Sequence, residues 1–193
     1  MPKTESFDRD EVMDKTMKLF WRKGYNGTSM QDLVDVTGLN RSSIYNTFGD
    51  KFSMFIESLK RYQRIERSKL HEFLLQGKSP IDALKMFFYA LSDRIMDDKE
   101  QKGCYLTNCT AELSAVDQTT KKLLLENQET MLHLFEDLLE SAYNQGQIAD
   151  KTNVKNLALF LYSNLQGMRI TGMLLPNKKE LKGLVDNIFE AVK

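Results

Sequence analysis

Apolar residues recur at helical spacing along almost the whole chain, and no stretch alternates as a half-buried strand must. An all-α fold is therefore expected. Only 3 prolines and 10 glycines interrupt 193 residues, so long helices are allowed and disorder is not expected. Val12, Thr16, Leu19 and Phe20 mark a first helix, capped by Asp8 and stopped at Gly24. A short second helix runs from about Ser29 to Thr37, with Ser29 and Asp32 spaced as cap and first-turn acid, and ends at Gly38. A third begins near Asn40 and stops around Thr47. The fourth starts after Gly49-Asp50 and is long, its stripe of Phe52, Phe55, Leu59 and Tyr62 continuing toward Leu70 and Phe73.

The break Gly77-Lys78-Ser79-Pro80 places Ser79 as cap and Pro80 at the first position of a fifth helix, carried by Ile81, Leu84, Phe88, Leu91 and Ile95. A polar loop from Asp97 to Gly103 and shorter helical material from Cys104 to Ala115 follow. Asp117 caps a long helix bearing Leu124, Met131, Phe135, Leu138 and Ala142, which ends at Gln145-Gly146-Gln147. Thr152 is expected to cap the next, running to about Leu175 before Pro176, and a last helix spans about 178–192. Nine helices result: three short ones, then longer ones able to form a bundle.

Composition narrows the function classes. Basic and acidic residues number 27 each, so bulk attraction to nucleic acid is excluded and any such contact depends on local placement of charge. Between positions 38 and 67, Arg41, Lys51, Lys60, Arg61, Arg64 and Arg67 outnumber Asp50, Glu57 and Glu66. No membrane span is expected, and residues 1–11 lack the apolar segment of an export signal, so the cytoplasm is the expected location. Cys104 and Cys109 are too few for a disulfide framework or a four-ligand metal site, and His71 and His133 stand alone; neither metal nor cofactor is expected.

The informative stretch is Thr28 to Lys51, TSMQDLVDVTGLNRSSIYNTFGDK. It reads as two short helices meeting at Gly38, where a left-handed backbone is needed, with Leu39 plugging the core beneath the turn. The second of these helices is unusually polar, with Asn40, Arg41, Ser42, Ser43, Asn46 and Thr47 around a buried Ile44 and Phe48. Such a composition has poor helix propensity and suits a surface that offers hydrogen-bonding groups to base edges and phosphates.

This stretch resembles the helix-turn-helix of the TetR family of bacterial transcriptional regulators. Thr28, Gly38, Ile44-Tyr45, Phe48 and Lys51 stand at the positions that family favours, and Tyr45 to Lys51 resembles a common variant of its closing motif. Val34 stands where the family usually has Ala, and Thr47 where His or Tyr often precedes the Phe. The resemblance is specific over roughly the first 55 residues; beyond them, Gly103-Cys104-Tyr105-Leu106 resembles one subgroup.

The resemblance implies a helix-turn-helix domain over residues 1–50 and a ligand-binding and dimerisation domain over 51–193, joined through the fourth helix without a flexible linker. It also implies Arg41, Ser42, Ser43 and Asn46 as base-reading residues, and Thr28, Ser29, Tyr45, Thr47 and Lys51 as phosphate contacts. The expected partners are a double-stranded DNA operator, a small-molecule effector and a second copy of the chain. Phe88, Tyr105, Met131, Phe135 and Tyr162, with Asn108 and Gln166 to orient a ligand, are the candidates for the effector site. The last two helices, about 152–192, are the expected dimer face. The first of them is apolar on most sides, and Gly167 and Gly172 permit close helix approach.

The expected function is sequence-specific repression, relieved when an effector shifts the dimer away from the groove spacing. Two alternatives stand beside it: a thiol-based redox or electrophile sensor acting through Cys104, and a helical adaptor without DNA binding. No phosphate loop, metal-ligand spacing or nucleophile elbow suggests an enzyme.

Overall fold

The computed structural model describes residues 7–149, 153–174 and 177–192. Among these there are nine helices and no strand.

Short-range signals account for the helix ends. In α1 (Arg9–Lys23) the Asp8 carboxylate accepts from the N–H groups of Asp10 and Glu11. Ser29 and Asp32 form a reciprocal capping box at the start of α2 (Met30–Thr37), and Gly38 closes it in the left-handed region at φ 72°. Asn40 caps α3 (Arg41–Phe48), and Asp50 caps α4 (Lys51–Leu74). Ser79 caps α5 (Pro80–Asp97) with proline in the first turn. After the loop come α6 (Tyr105–Leu113), α7 (Gln118–Asn144) capped by Asp117, α8 (Val154–Leu174), and α9 (Lys178–Glu190) capped by Asn177. Each side-chain cap contributes about 1 kcal/mol. The expected cap Thr152 and the stop at Leu175-Pro176 lie outside the described residues.

Two apolar cores hold the helices. The first gathers Phe20, Leu33, Ile44, Phe48 and the α4 residues Phe55, Leu59 and Tyr62. It also takes in Cys104, Tyr105, Cys109 and Leu113 at the start of and within α6, and Leu123 and Leu124 from α7. The second is built from Leu84, Phe88, Phe135, Leu139, Leu161, Leu165 and Met168, closed by Val185, Ile188 and Phe189 of α9. Helix α4 reaches both, because Leu70 near its C-terminal end belongs to the second. The three-helix head thus shares its core with α6 as well as with α4.

Charge pins α1 to α4. Arg61 reaches Asp14 at 2.6 Å and Asp10 at 2.5 Å, and Arg9 binds Glu57 at 2.9 Å. Arg61, one of the basic residues counted in the 38–67 excess, is thereby spent inside the fold. The close approach expected of Gly172 also proves to be internal. A Cβ there would lie 2.4 Å from Ile95 Cγ2, so this glycine seats α8 against α5, whereas Gly167 faces open space.

Candidate functional site

Helix α3 rests on Ile44 and Phe48, both buried, and turns its other residues outward. Arg41, Ser42, Tyr45 and Asn46 are exposed, Tyr45 at 52%, while Ser43 and Thr47 are half-buried at the edges. The Arg41 guanidinium lies 3.3 Å from Gln31 Oε1 on α2, a weak tether that leaves most of its donors free. At the first position of α4, the Lys51 ammonium sits 4.3 Å from the centre of the Tyr25 ring. That contact fixes where its positive charge stands without neutralising it. The exposed polar face is therefore mounted on a rigid base.

Two expected phosphate contacts have other partners. Thr28 is 1% exposed; its hydroxyl donates to the Gly24 carbonyl at 2.7 Å and its N–H to the Tyr25 carbonyl at 3.3 Å. Its side chain is an internal brace of the turn between α1 and α2, not a phosphate ligand. Ser29 is exposed, but its hydroxyl is engaged in the capping box: it donates to Asp32 at 2.7 Å and accepts the Asp32 N–H at 3.0 Å. Asp32, itself 2.6 Å from Lys23, already occupies the electropositive start of α2. A lone Ser or Thr before a helix signals capping as readily as anion binding, and the sequence alone does not separate the two.

The head is also clasped from behind. Glu112 on α6 accepts the N–H of Tyr25 at 3.1 Å and of Asn26 at 2.8 Å. Nearby, Ser58 Oγ and the Tyr105 hydroxyl share a buried hydrogen bond of 2.9 Å. Burial pushes the Tyr105 hydroxyl well above the ordinary tyrosine range, so it stays protonated.

A cavity of about 390 Å³ opens where the head meets the larger bundle. Its wall takes Trp21 from α1; Tyr62, Glu66 and Lys69 from α4; Leu91, Arg94 and Ile95 from α5; and Cys104, Arg169, Gly172 and Met173, with residues 97–99 and 101–103 at the rim. None of the seven expected effector residues lines it. Phe88 and Phe135 are fully buried, their rings 6.4 Å apart in the second core, and Tyr105 is sealed in the first. Met131 and Tyr162 pack against the second core. Asn108 donates to the Lys102 carbonyl at 2.8 Å and so holds the rim loop. Gln166 accepts from Thr107 at 2.7 Å and from Arg169 at 3.5 Å, and so stands behind the wall. Aromatic residues at helical spacing fill each other's space, whereas this cavity is walled by helix ends and charged side chains. One sequence signal for it did exist: Arg169 is a lone cation in the most apolar stretch of the chain.

Within the wall, Glu66 is claimed twice, by Arg94 at 2.6 Å and by Lys69 at 3.2 Å. Tyr62 donates to Cys104 Sγ at 3.7 Å. Burial raises the pKa of the Cys104 thiol, but the Arg169 charge and hydrogen bonds from Thr107 and Tyr62 outweigh it, leaving the thiol below its ordinary value. Burial pushes the Cys109 thiol strongly the other way. Both cysteines are free.

Comparison with known proteins decides the affiliation. The family model described as "Bacterial regulatory proteins, tetR family" matches residues 12–57, and "Tetracyclin repressor-like, C-terminal domain" matches residues 80–187. The chain belongs to the TetR family. This TetR-family protein is 31% identical over 166 residues to the HTH-type transcriptional repressor ComR of Escherichia coli (strain K12), covering 86% of this chain and 79% of that one. It is 24% identical over 188 residues to the repressor DhaR of Mycobacterium sp. (strain GP1), covering 95% and 91%. Its fold matches a cysteine mutant of the TetR-family regulator CifR, solved with 26-base-pair operator DNA, at a TM-score of 0.85 and 22% identity over 99% of this chain and 100% of that one. It is thus a DNA-binding transcription regulator and not an enzyme. Among the described residues, no helix is long and apolar enough to cross a membrane.

Proposed function

We propose that this TetR-family regulator is a cytoplasmic repressor that acts as a homodimer and is released from its operator by an effector held in the cavity between head and bundle. The observation that carries the reading is the exposed, hydrogen-bonding face of α3 on its buried base of Ile44 and Phe48. Arg41, Ser42, Ser43 and Asn46 read base edges in a major groove, and Tyr45, Thr47 and Lys51 hold phosphates. Two copies are required, because one eight-residue helix reads too few base pairs and a dimer reaches successive grooves about 34–36 Å apart. The exposed face of α8 supports the pairing: Leu159, Phe160 and Ile170 lie bare beside Gly167. Relatives named as repressors give the direction of control.

The test uses binding to the chain's own upstream DNA at several salt concentrations. Arg41→Ala is expected to relax sequence preference, costing about 1–3 kcal/mol on the preferred site. Lys51→Ala is expected to weaken all duplexes alike and to flatten the salt slope by about one. Indistinguishable profiles for the two variants would overturn the role assignment, and equal, weak binding of the parent to every duplex would favour the adaptor reading.

A second reading has one observation in its favour. Cys104 combines a lowered thiol pKa with a place in the cavity wall, as an oxidant or electrophile sensor requires. Operator release by such reagents in the parent but not in Cys104→Ser is its test.

A further inference from the structure

The cavity has an unbalanced set of polar groups. Five cationic side chains, Lys69, Arg94, Lys99, Lys102 and Arg169, face three carboxylates, and Lys102 is also paired with Glu100 outside the wall at 2.8 Å. Both oxygens of Glu66 are taken by Arg94 and Lys69, and Asp98 accepts the Gly103 N–H at 2.9 Å and lies 3.8 Å from Lys102. Among the described residues, Arg169 has no carboxylate within ion-pair distance; it donates to the neutral Gln166 at 3.5 Å. A largely enclosed guanidinium without a carboxylate is uncommon, because its desolvation is ordinarily offset by a paired charge.

Trp21 Nε1 is buried without a hydrogen-bond acceptor, and Trp21 belongs to the same wall. Both the indole N–H and the guanidinium are donors. The remaining surface, Leu91, Ile95 and Met173, is apolar.

The geometry points to an amphiphilic organic anion, a carboxylate on a short apolar body, as the molecule this cavity takes. The carboxylate lies on the Arg169 guanidinium, accepting two parallel N–H bonds, and the apolar body runs along Leu91 and Ile95 toward the Trp21 indole. Its identity as the effector rests on the reading of the cavity as the effector site.

Trp21 is the chain's one tryptophan, so its fluorescence reports occupation of this wall directly. The probes are octanoate, its neutral counterpart octanamide, and the cation octylamine, which Asp97 at the rim would favour if the charge assignment were reversed. Octanoate is expected to change Trp21 emission saturably and to raise the melting temperature. Octanamide and octylamine should bind about tenfold more weakly or worse, and Arg169→Gln should erase octanoate's advantage. Arg169→Lys, which keeps charge but loses the fork, should fall between. Should Arg169→Gln lose its helical circular dichroism, Arg169→Lys and the probe comparison on the parent decide the matter. Equal binding of octanoate and octanamide, or tighter binding of octylamine, overturns the anion assignment. Operator retention, measured in parallel, separates the two claims. Octanoate that binds through Arg169 without affecting operator affinity upholds the ligand class and refutes the effector reading. Release of the operator by octanamide as readily as by octanoate upholds the effector reading and refutes the ligand class.

Discussion

Single residues in this chain owe their chemistry to partners a few ångströms away. Asp32 is held well below the usual carboxylate range, chiefly by the Lys23 hydrogen bond, then by the N–H and hydroxyl of Ser29. A folded-state pKa below the unfolded one stabilises the protein at pH values above the ordinary carboxylate range, and the gain is lost as pH falls toward the folded value. Asp32→Asn is therefore expected to melt below the parent at pH 7, with the gap closing as pH drops below about 4; calorimetric scans across that window check it. Cys104 offers a second case. Burial works against its thiolate, and Arg169 with the Thr107 and Tyr62 hydrogen bonds more than compensates. Arg169→Gln is expected to move the Cys104 titration to higher pH, readable in the ultraviolet absorbance of the thiolate. An unmoved titration would show that the hydrogen bonds alone set it. Thr28 teaches the converse lesson: a hydroxyl that looks free in the sequence is already bonded to the Gly24 carbonyl.

Elements were legible where their determinants are local. Asp8, Ser29, Ser79 and Asp117 all cap the helices that their spacing indicated, because a cap involves residues no more than three positions apart, and Asn40 and Asp50 prove to cap the helices expected to start beside them. The polar α3 on two apolar anchors was legible for the same reason. The cavity was not, since its wall joins α1, α4, α5 and α8, and nothing within one helix shows which neighbour leaves space. Nor was the place of α6: its short run around Cys104 and Cys109 gives no hint that Tyr105 binds Ser58 of α4 and Glu112 binds the head. This seam can be measured. Ser58→Ala strands the buried Tyr105 hydroxyl and is expected to cost about 1–3 kcal/mol, whereas Tyr105→Phe should cost about 1, because Ser58 keeps its bond to the Phe55 carbonyl. The double variant should cost clearly less than the sum, by about 1 kcal/mol in a urea-denaturation cycle. Strict additivity would mean that the two hydroxyls do not act together.

For the whole molecule, the decisive question is what covers α8. Leu159, Phe160, Ile170 and Leu174 are exposed on one protomer, and such bare side chains along a helix invite a symmetric partner. Phe160→Glu is expected to yield monomers in sedimentation velocity and to abolish operator binding while leaving the helical signal intact. A dimer that survives it would move the interface elsewhere. The wall of the cavity has a consequence for signalling. Trp21 belongs to α1, inside the DNA-reading head, while Arg169 lies on the helix proposed to pair the protomers. A molecule long enough to touch both acts as a strut between reader and dimer, and no chain of intermediate shifts is needed. Reach, more than tightness of grip, would then sort ligands into those that switch the protein and those that occupy it silently.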